Sequence, residues 1–439
     1  MIKTLRNAWS VPELRNKFLF TFFIILIFRI GSVITVPFID VETLRATMTG
    51  GGVNEFFSYI TTLTGGGLEN GAIFAMGVTP YINSSIIMQL LTVAIPALGR
   101  MQQEGEEGRK KIAQITRYVT VGLGLLQGTA YFILLKNGMK TQDGMGTGSF
   151  LSVSSDNFFM NAFVAVTIVM CFTAGSALVM WLGERIDDKG IGNGISILLF
   201  AGIISRAPQA FAYLWYNIEL KKYVEVGAII VIFTLMIAFI VWMTNAERRI
   251  PIQYAKRVVG RKMYGGQSTH MPIKVNMSGV MPVIFASSIL ALPSMVNGFI
   301  DDPNNTVYKI FGVMNPQSLL YAVVYFAMII GFAYFYATIQ YNPIEMANNL
   351  RKNSGAIPGI RPGKPTSDFI SRILSRITLI GALFLSVIAL LPIIVGGVGG
   401  LAGITLGGTS VLIVVGVALD TVQNIESQMM MRHYKGFLD

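Results

Sequence analysis

The pattern along the chain is a series of long apolar runs separated by polar segments. Ten runs stand out: Phe18–Pro37, Ala72–Leu98, Tyr118–Leu135, Phe158–Leu182, Ile191–Trp215, Val224–Thr244, Val275–Ile300, Ser318–Tyr341, Ile373–Gly396 and Leu401–Asp420. A helix of about 20 apolar residues rises far enough to cross roughly 30 Å of hydrocarbon. Each run therefore predicts a membrane-crossing helix, and the chain reads as an all-α polytopic membrane protein. The first run is long for a cleaved signal peptide. It holds Arg29 and leads into Pro37 and Asp40 without a small-residue cleavage site.

Composition agrees. Of 439 residues only 13% are charged and 53% are hydrophobic, and mean hydropathy is +0.59. A soluble domain carries about 25% charged residues, so a soluble enzyme or a disordered chain is excluded. Cys171 is the single cysteine and His270 and His433 the two histidines. That leaves no material for a disulfide framework, a cysteine zinc site or a histidine-rich metal site. Neither H-E-x-x-H nor G-x-x-x-x-G-K-[ST] occurs. Gly359 to Lys364 comes near a phosphate loop, but Pro365 follows where Ser or Thr is needed. Gly190, Gly192 and Gly194 open a membrane helix and make a poor dinucleotide loop. No catalytic pair, cofactor site or metal site is expected.

The net charge of +11 is unevenly placed. Alternate polar segments and both tails carry 25 Lys and Arg; the others carry 7. By the positive-inside rule both termini face the cytoplasm. Arg29, Glu225, Arg376, Asp420 and Glu426 lie toward span ends, where snorkelling to the interface accounts for them. A coupled solute transporter would be expected to place such groups at the midplane.

Two spans share G-V-x-P-x-I-x-[SA]-S: Gly77–Ser85 and Gly279–Ser287. A second match links Gly194–Leu199 to Gly408–Ile413. Each pair lies five spans apart and enters the membrane from opposite sides, the signature of an inverted repeat. Val78 and Ile82 share a helix face, as do Ile195 and Leu199. The repeat sets Ile284 opposite Ile82 and Ile413 opposite Leu199. Ordinary core packing explains any one of the six. As a set they suit a hydrophobic constriction that closes by dewetting. Asn83, Ser84, Ser85, Gln89, Gln127, Asn276 and Ser278 lie within spans and fit either interhelical hydrogen bonding or a seam that opens.

Residues 245–274 and 342–372 form large basic segments facing the cytoplasm, with cations at Arg248, Arg249, Lys256, Arg257 and Arg361. They suit anionic lipid, RNA phosphates or an acidic protein surface. On the other side, residues 54–71 hold Phe56, Phe57, Tyr59, Ile60 and Leu63, then Gly65, Gly66 and Gly67. This reads as a short apolar helix on a glycine hinge, either re-entrant or interfacial.

Several motifs resemble the bacterial SecY family. They are GVTPYINSSIIMQLL from Gly77, GIGNGIS from Gly190, YAKR from Tyr254, QSTHMP from Gln267, KVNMSGVMPVIFASS from Lys274, IPGIRPG from Ile357 and GGTS from Gly407. The resemblance runs from the N-terminal tail through the tenth span. It implies ten helices in two inverted five-helix halves around an hourglass pore. On this reading residues 1–17 are a cytoplasmic tail, 18–215 and 216–427 the two halves, and 428–439 a second tail. Val78, Ile82, Ile195, Leu199, Ile284 and Ile413 would form the pore ring. Tyr59, Ile60, Leu63, Gly65, Gly66 and Gly67 would belong to a plug. Asn83, Gln127, Asn276 and Phe285 would lie at a lateral gate. Arg248, Arg249, Lys256, Arg257 and Arg361 would dock a ribosome or motor. The implied function is a protein-conducting channel, not an enzyme, in the bacterial cytoplasmic membrane. Its implied partners are SecE, SecG, the SecA motor, the ribosome, signal peptides with their client chains, and anionic lipid. Val78 is smaller than the isoleucine common in the family there, and Asn83 stands where serine is common.

Overall fold

The computed structural model describes residues 9–49, 61, 64–138, 149–152, 157–219, 223–254, 257–259, 262–264, 268–297, 319–399 and 408–435. The chain divides into two compact units. One comprises Met1–Tyr223, Ala291–Asn315 and Val417–Asp439; the other comprises Val224–Leu290 and Pro316–Gly416.

The first unit holds α1 (Pro12–Gly31), α2 (Val41–Thr49), α3 (Thr79–Ala94), α4 (Pro96–Gln103), α5 (Glu106–Asn137), α6 (Phe158–Lys189), α7 (Gly194–Ile204) and α8 (Ala207–Glu219). Helix α5 packs on α3 and α6, and α6 also packs on α1 and α7. Glycines keep α5 and α6 close: a Cβ on Gly124 would lie 2.9 Å from the Ser176 hydroxyl. At one end of the unit, backbone bonds tie Val36 to Gly71, Ile73 to Ile34 and Asp40 to Phe150. They frame a core of Leu44, Leu68, Tyr131, Leu135, Phe150 and Phe172, among others. Asp40 starts α2 by accepting from the Thr43 hydroxyl at 2.6 Å and from the backbone N–H groups of Glu42 and Thr43. The Thr43 hydroxyl and these N–H groups hold its carboxyl below the usual carboxylate range. Elsewhere Leu14, Ile191 and Ile425 pack together, and Lys17 Nζ donates to Gln428 at 3.2 Å.

The second unit holds most of α9 (Tyr223–Thr244), the strands β1 (Glu247–Tyr254), β2 (Arg257–Val259), β3 (Lys262–Tyr264) and β4 (Ser268–Lys274), the first part of α10 (Met281–Asn297), then α11 (Leu319–Gln340), α12 (Pro343–Lys352), β5 (Gly355–Ala356) and α13 (Lys364–Gly399). The last helix, α14 (Gly408–Lys435), begins in this unit and ends in the first. Met236, Ile240, Val283, Leu290, Ile329 and Leu385 belong to its larger apolar core.

Two expectations change. Seven helices among the described residues are long and apolar enough to cross a membrane, or eight if the pair Thr79–Ala94 and Pro96–Gln102 counts as one. That pair bends by 106°, because Pro96 cannot donate to the helix before it. The other two expected spans correspond to shorter or more polar helices. Pro12–Gly31 carries Glu13, Arg15, Lys17 and Arg29, and Met281–Asn297 has 17 residues.

The chain is also not all-α. The segment expected as a basic loop is a sheet, ordered β4-β1-β5, with a small β2-β3 hairpin. Strand β1 pairs antiparallel with β4, placing Arg248 opposite Ile273 and Arg249 opposite Pro272. Alternation buries Ile250 and Ile252. These join Ile273, Leu350, Ile357, Ile370, Leu374 and Ile377 in a second, smaller core. Both basic segments are thus parts of one folded body. The small core predicts that Ile250→Ala costs the sheet about 2–5 kcal/mol. Limited proteolysis in proteoliposomes should cut residues 254–268 faster while the membrane helices stay protected; an unchanged cutting rate would contradict the shared core.

Candidate functional site

The two motif copies have the same local geometry. Gly77 and Gly279 take φ of 52° and 61°, a region that a side chain disfavours. In each copy the helix starts two residues later, at Thr79 and at Met281. Pro80 and Pro282 then fall at the second helical position, where a missing N–H costs nothing. First-turn N–H groups are met locally: Thr79 donates to Met76 O at 3.3 Å, and in the second copy Val283 donates to Val280 O at 3.1 Å. The regular helical bonds begin with Ile82 to Val78 O at 3.0 Å and Ile284 to Val280 O at 3.3 Å.

The other pair behaves alike, with Gly194 and Gly408 each the first residue of a helix. Asn193 caps the former by accepting from Ser196 N at 3.1 Å, and Asp187 accepts from Gly194 N at 2.7 Å. All four copies therefore open a helix, and each presents a branched aliphatic near its start. Val78, Ile82, Leu199, Ile284 and Ile413 are buried, while Ile195 is half-buried. Val78 and Ile82 lie one turn apart, as do Ile195 and Leu199; Ile284 and Ile413 belong to the second unit.

The polar residues of the spans are placed as follows. Asn83 and Gln127 are half-buried in the first unit. Between them in sequence, buried Ser84 donates to Thr116 O at 2.7 Å and ties α3 to α5. In the second unit Asn276 is half-buried, and its side-chain oxygen is enclosed without a hydrogen-bond partner. Phe285 is 1% exposed. It meets Phe332 and Tyr336 of α11 edge-on, at centroid distances of 5.9 and 6.4 Å.

Of the expected plug residues, Tyr59, Ile60 and Leu63 lie outside the described residues. From Thr64 to Val78 the chain is a run of tight turns, not a helix. Gly65 and Gly66 adopt φ of 65° and 88°. Arg29, expected to snorkel, instead donates to Gly65 O at 3.1 Å and to the Ser205 hydroxyl at 2.9 Å. A lone arginine within an apolar run was the signal that it had a partner inside the chain. The Glu69–Arg206 ion pair, at 2.7 Å, had no such signal.

Arg248 and Arg249 lie exposed at the start of β1, with Arg249 bonded to Glu247 at 2.6 Å. Arg257 begins β2, and Lys256 lies outside the described residues. Arg361 is exposed on a turn fixed by buried Ile357 and by Gly359 and Gly363, with φ of 80° and 107°. The Thr366 hydroxyl donates to Arg361 O at 2.8 Å.

The profile of the SecY family matches residues 72–422. The chain belongs to the SecY family. A relative from Streptomyces galbus, named protein translocase subunit SecY, is 42% identical over 450 aligned positions that cover both chains in full. One from Thermotoga maritima with the same name is 43% identical, covering all of this chain and 98% of the relative. Solved structures share the fold at lower identity. One described as the structure of a protein conducting channel aligns with a TM-score of 0.63 at 17% identity, covering 97% of each chain. Sec61 in the canine ribosome-channel complex aligns with the same score, identity and coverage. The SecY fold and the apolar helices make this a multi-pass membrane protein.

The packing of Phe285 predicts that Phe285→Ala costs about 3–5 kcal/mol through the cavity left against Phe332 and Tyr336. The thermal midpoint of the detergent-solubilised chain should fall, and Phe285→Leu should recover part of it. An unchanged midpoint would mean that α10 and α11 do not depend on this contact.

Proposed function

We propose that this chain is the channel subunit of a bacterial protein translocase. It passes unfolded secretory polypeptides across the cytoplasmic membrane and releases apolar segments into lipid. The observation that carries this reading is the fourfold use of one device: a helix that begins at or two residues after a motif glycine and offers a buried branched aliphatic close to its start. Val78, Ile82, Ile195, Leu199, Ile284 and Ile413 form the pore ring. Such a ring excludes water and ions by dewetting, yet yields to a chain in transit because aliphatic contacts have no fixed direction.

Asn83, Gln127, Asn276 and Phe285 line the lateral gate between the inverted halves. Weak polar contacts suit a seam that must part, since each interhelical hydrogen bond is worth only about 0.6–2 kcal/mol. Once the seam parts, lipid itself sorts the client. An apolar residue gains about 0.3–0.6 kcal/mol at the bilayer centre, while one Lys or Asp costs about 2.5–3.5. One charge therefore offsets five or more leucines and keeps a segment in the pore.

The sequence has no phosphate-binding loop, so the driving force comes from a bound partner. Arg248, Arg249, Lys256, Arg257 and Arg361 offer a cationic docking face to the SecA motor or the ribosome. SecE and SecG complete the membrane complex, signal peptides engage the gate, and anionic lipid binds the basic cytoplasmic segments. Both termini face the cytoplasm.

The direct test is crosslinking. A photoreactive group in place of Ile82 or Ile284 should capture a stalled secretory chain, whereas one in place of lipid-exposed Leu126 should not. Absence of capture at both ring positions would refute the ring. The docking assignment predicts that Arg361→Glu lowers motor-driven export at least about tenfold, a change equivalent to 1.4 kcal/mol, with membrane insertion of the channel unchanged. Wild-type export in that variant would remove Arg361 from the docking face.

A further inference from the structure

The C-terminal part of the expected plug segment, from Gly65 to Asn70, is held almost residue by residue. Arg29 reaches from the last turn of α1 and donates to Gly65 O at 3.1 Å and to Ser205 Oγ at 2.9 Å. Ser205 caps the C-terminal end of α7, and its hydroxyl donates to Gly202 O at 2.6 Å. The guanidinium thus sits at the negative end of that helix. Gly65 presses closely on the same end: a Cβ there would lie 2.5 Å from Ser205 Oγ and 2.8 Å from Gly202 O. The next residue after the cap, Arg206, pairs with Glu69 at 2.7 Å, with side chains only 20% and 13% exposed. Buried Tyr131 donates its hydroxyl to Leu68 O at 3.1 Å, and Arg45 bonds Asn70. From Gly71 onward, backbone bonds to Val36 and Ile34 continue the attachment.

We propose that Arg29 and the Glu69–Arg206 pair are positioning residues for the resting seal. They clamp the segment from Gly65 to Asn70 onto the ends of α1 and α7, and so set where the plug can stand. The inference rests on reading residues 54–71 as a plug and adds what holds it. Removing one member of a mostly buried pair leaves the other charge without its partner, and the cheapest relief is for the segment to leave its seat. The clamp joins elements far apart in sequence, so the plug's closed position depends on the mutual spacing of α1 and α7. Anything that moves those two helices apart releases it.

The test is resting chloride flux through proteoliposomes containing the full chain with the subunits that copurify with it. Glu69→Gln and Arg206→Gln should each raise flux roughly tenfold, the change that follows when the closed state loses about 1.4 kcal/mol of its advantage. The charge swap Glu69→Arg with Arg206→Glu should return flux to within about twofold of wild type, because it restores the pair. Arg29→Lys, which keeps the charge, should leak less than Arg29→Met. Deleting residues 54–64 serves as the reference for an unplugged channel. Wild-type flux in the single variants, alongside high flux in the deletion, would overturn the clamp and leave the plug intact. Wild-type flux in the deletion itself would overturn the plug reading and the clamp with it. If one single variant fails to accumulate, the other decides: raised flux that the swap reverses supports the clamp, and wild-type flux overturns it.

Discussion

A helix leaves its first backbone N–H groups without intrahelical partners, and among apolar surroundings the chain itself must supply acceptors for them. The rest of this molecule depends on how that is solved. At Gly77 the positive φ lets the preceding turns fold back, so that Met76 O accepts from Thr79 in the first helical turn. At Gly194 the side chains of Asn193 and Asp187 supply them instead. Once the N–H groups are satisfied, a helix can begin with an aliphatic side chain near its first turn. Proline at the second helical position, as in Pro80 and Pro282, strengthens the same start without removing a used donor. The glycines and prolines that would weaken an ordinary span are what allow these to begin where they do.

The long spans were legible in the sequence because length and hydropathy suffice for them. The stretches at Phe158 and Tyr223 each correspond to a single helix. Residues 72–98 were less so. Their apolar content is continuous, but Pro80 and Pro96 divide it into turns, a helix and a bent continuation. The sheet was hidden by its own chemistry. Ile250 and Ile252, then Met271 and Ile273, alternate at strand period. Proline, here Pro251 and Pro272, is uncommon inside strands. The pairing shows why Pro251 is tolerated: among the described residues β5 pairs with β1 at Gln253 and Tyr254, and no strand pairs with that edge of β1 at Pro251.

The site was legible to the extent that it is written in repeats. The matched glycines marked four related places within runs that read as continuous spans, and at or just after each the structure starts a helix. Contacts between residues far apart in sequence left little trace. Nothing about Glu69 in a glycine-rich stretch announces Arg206, 137 positions away. Arg29 did leave a sign, because an arginine that interrupts an apolar run needs a reason to be there. That reason lies in the backbone of Gly65 and the cap of α7.

The cationic sheet has a consequence of another kind. Its small core includes Ile370, Leu374 and Ile377, the first turns of α13. Farther along the same helix, Phe384, Leu385 and Ile388 sit in the larger core with α9 and α11. No linker separates the two clusters, because one 36-residue helix runs through both. The sheet is thus the handle of a stiff lever whose shaft is buried in the bilayer. A body that grips the handle cannot turn it without leaning on the shaft.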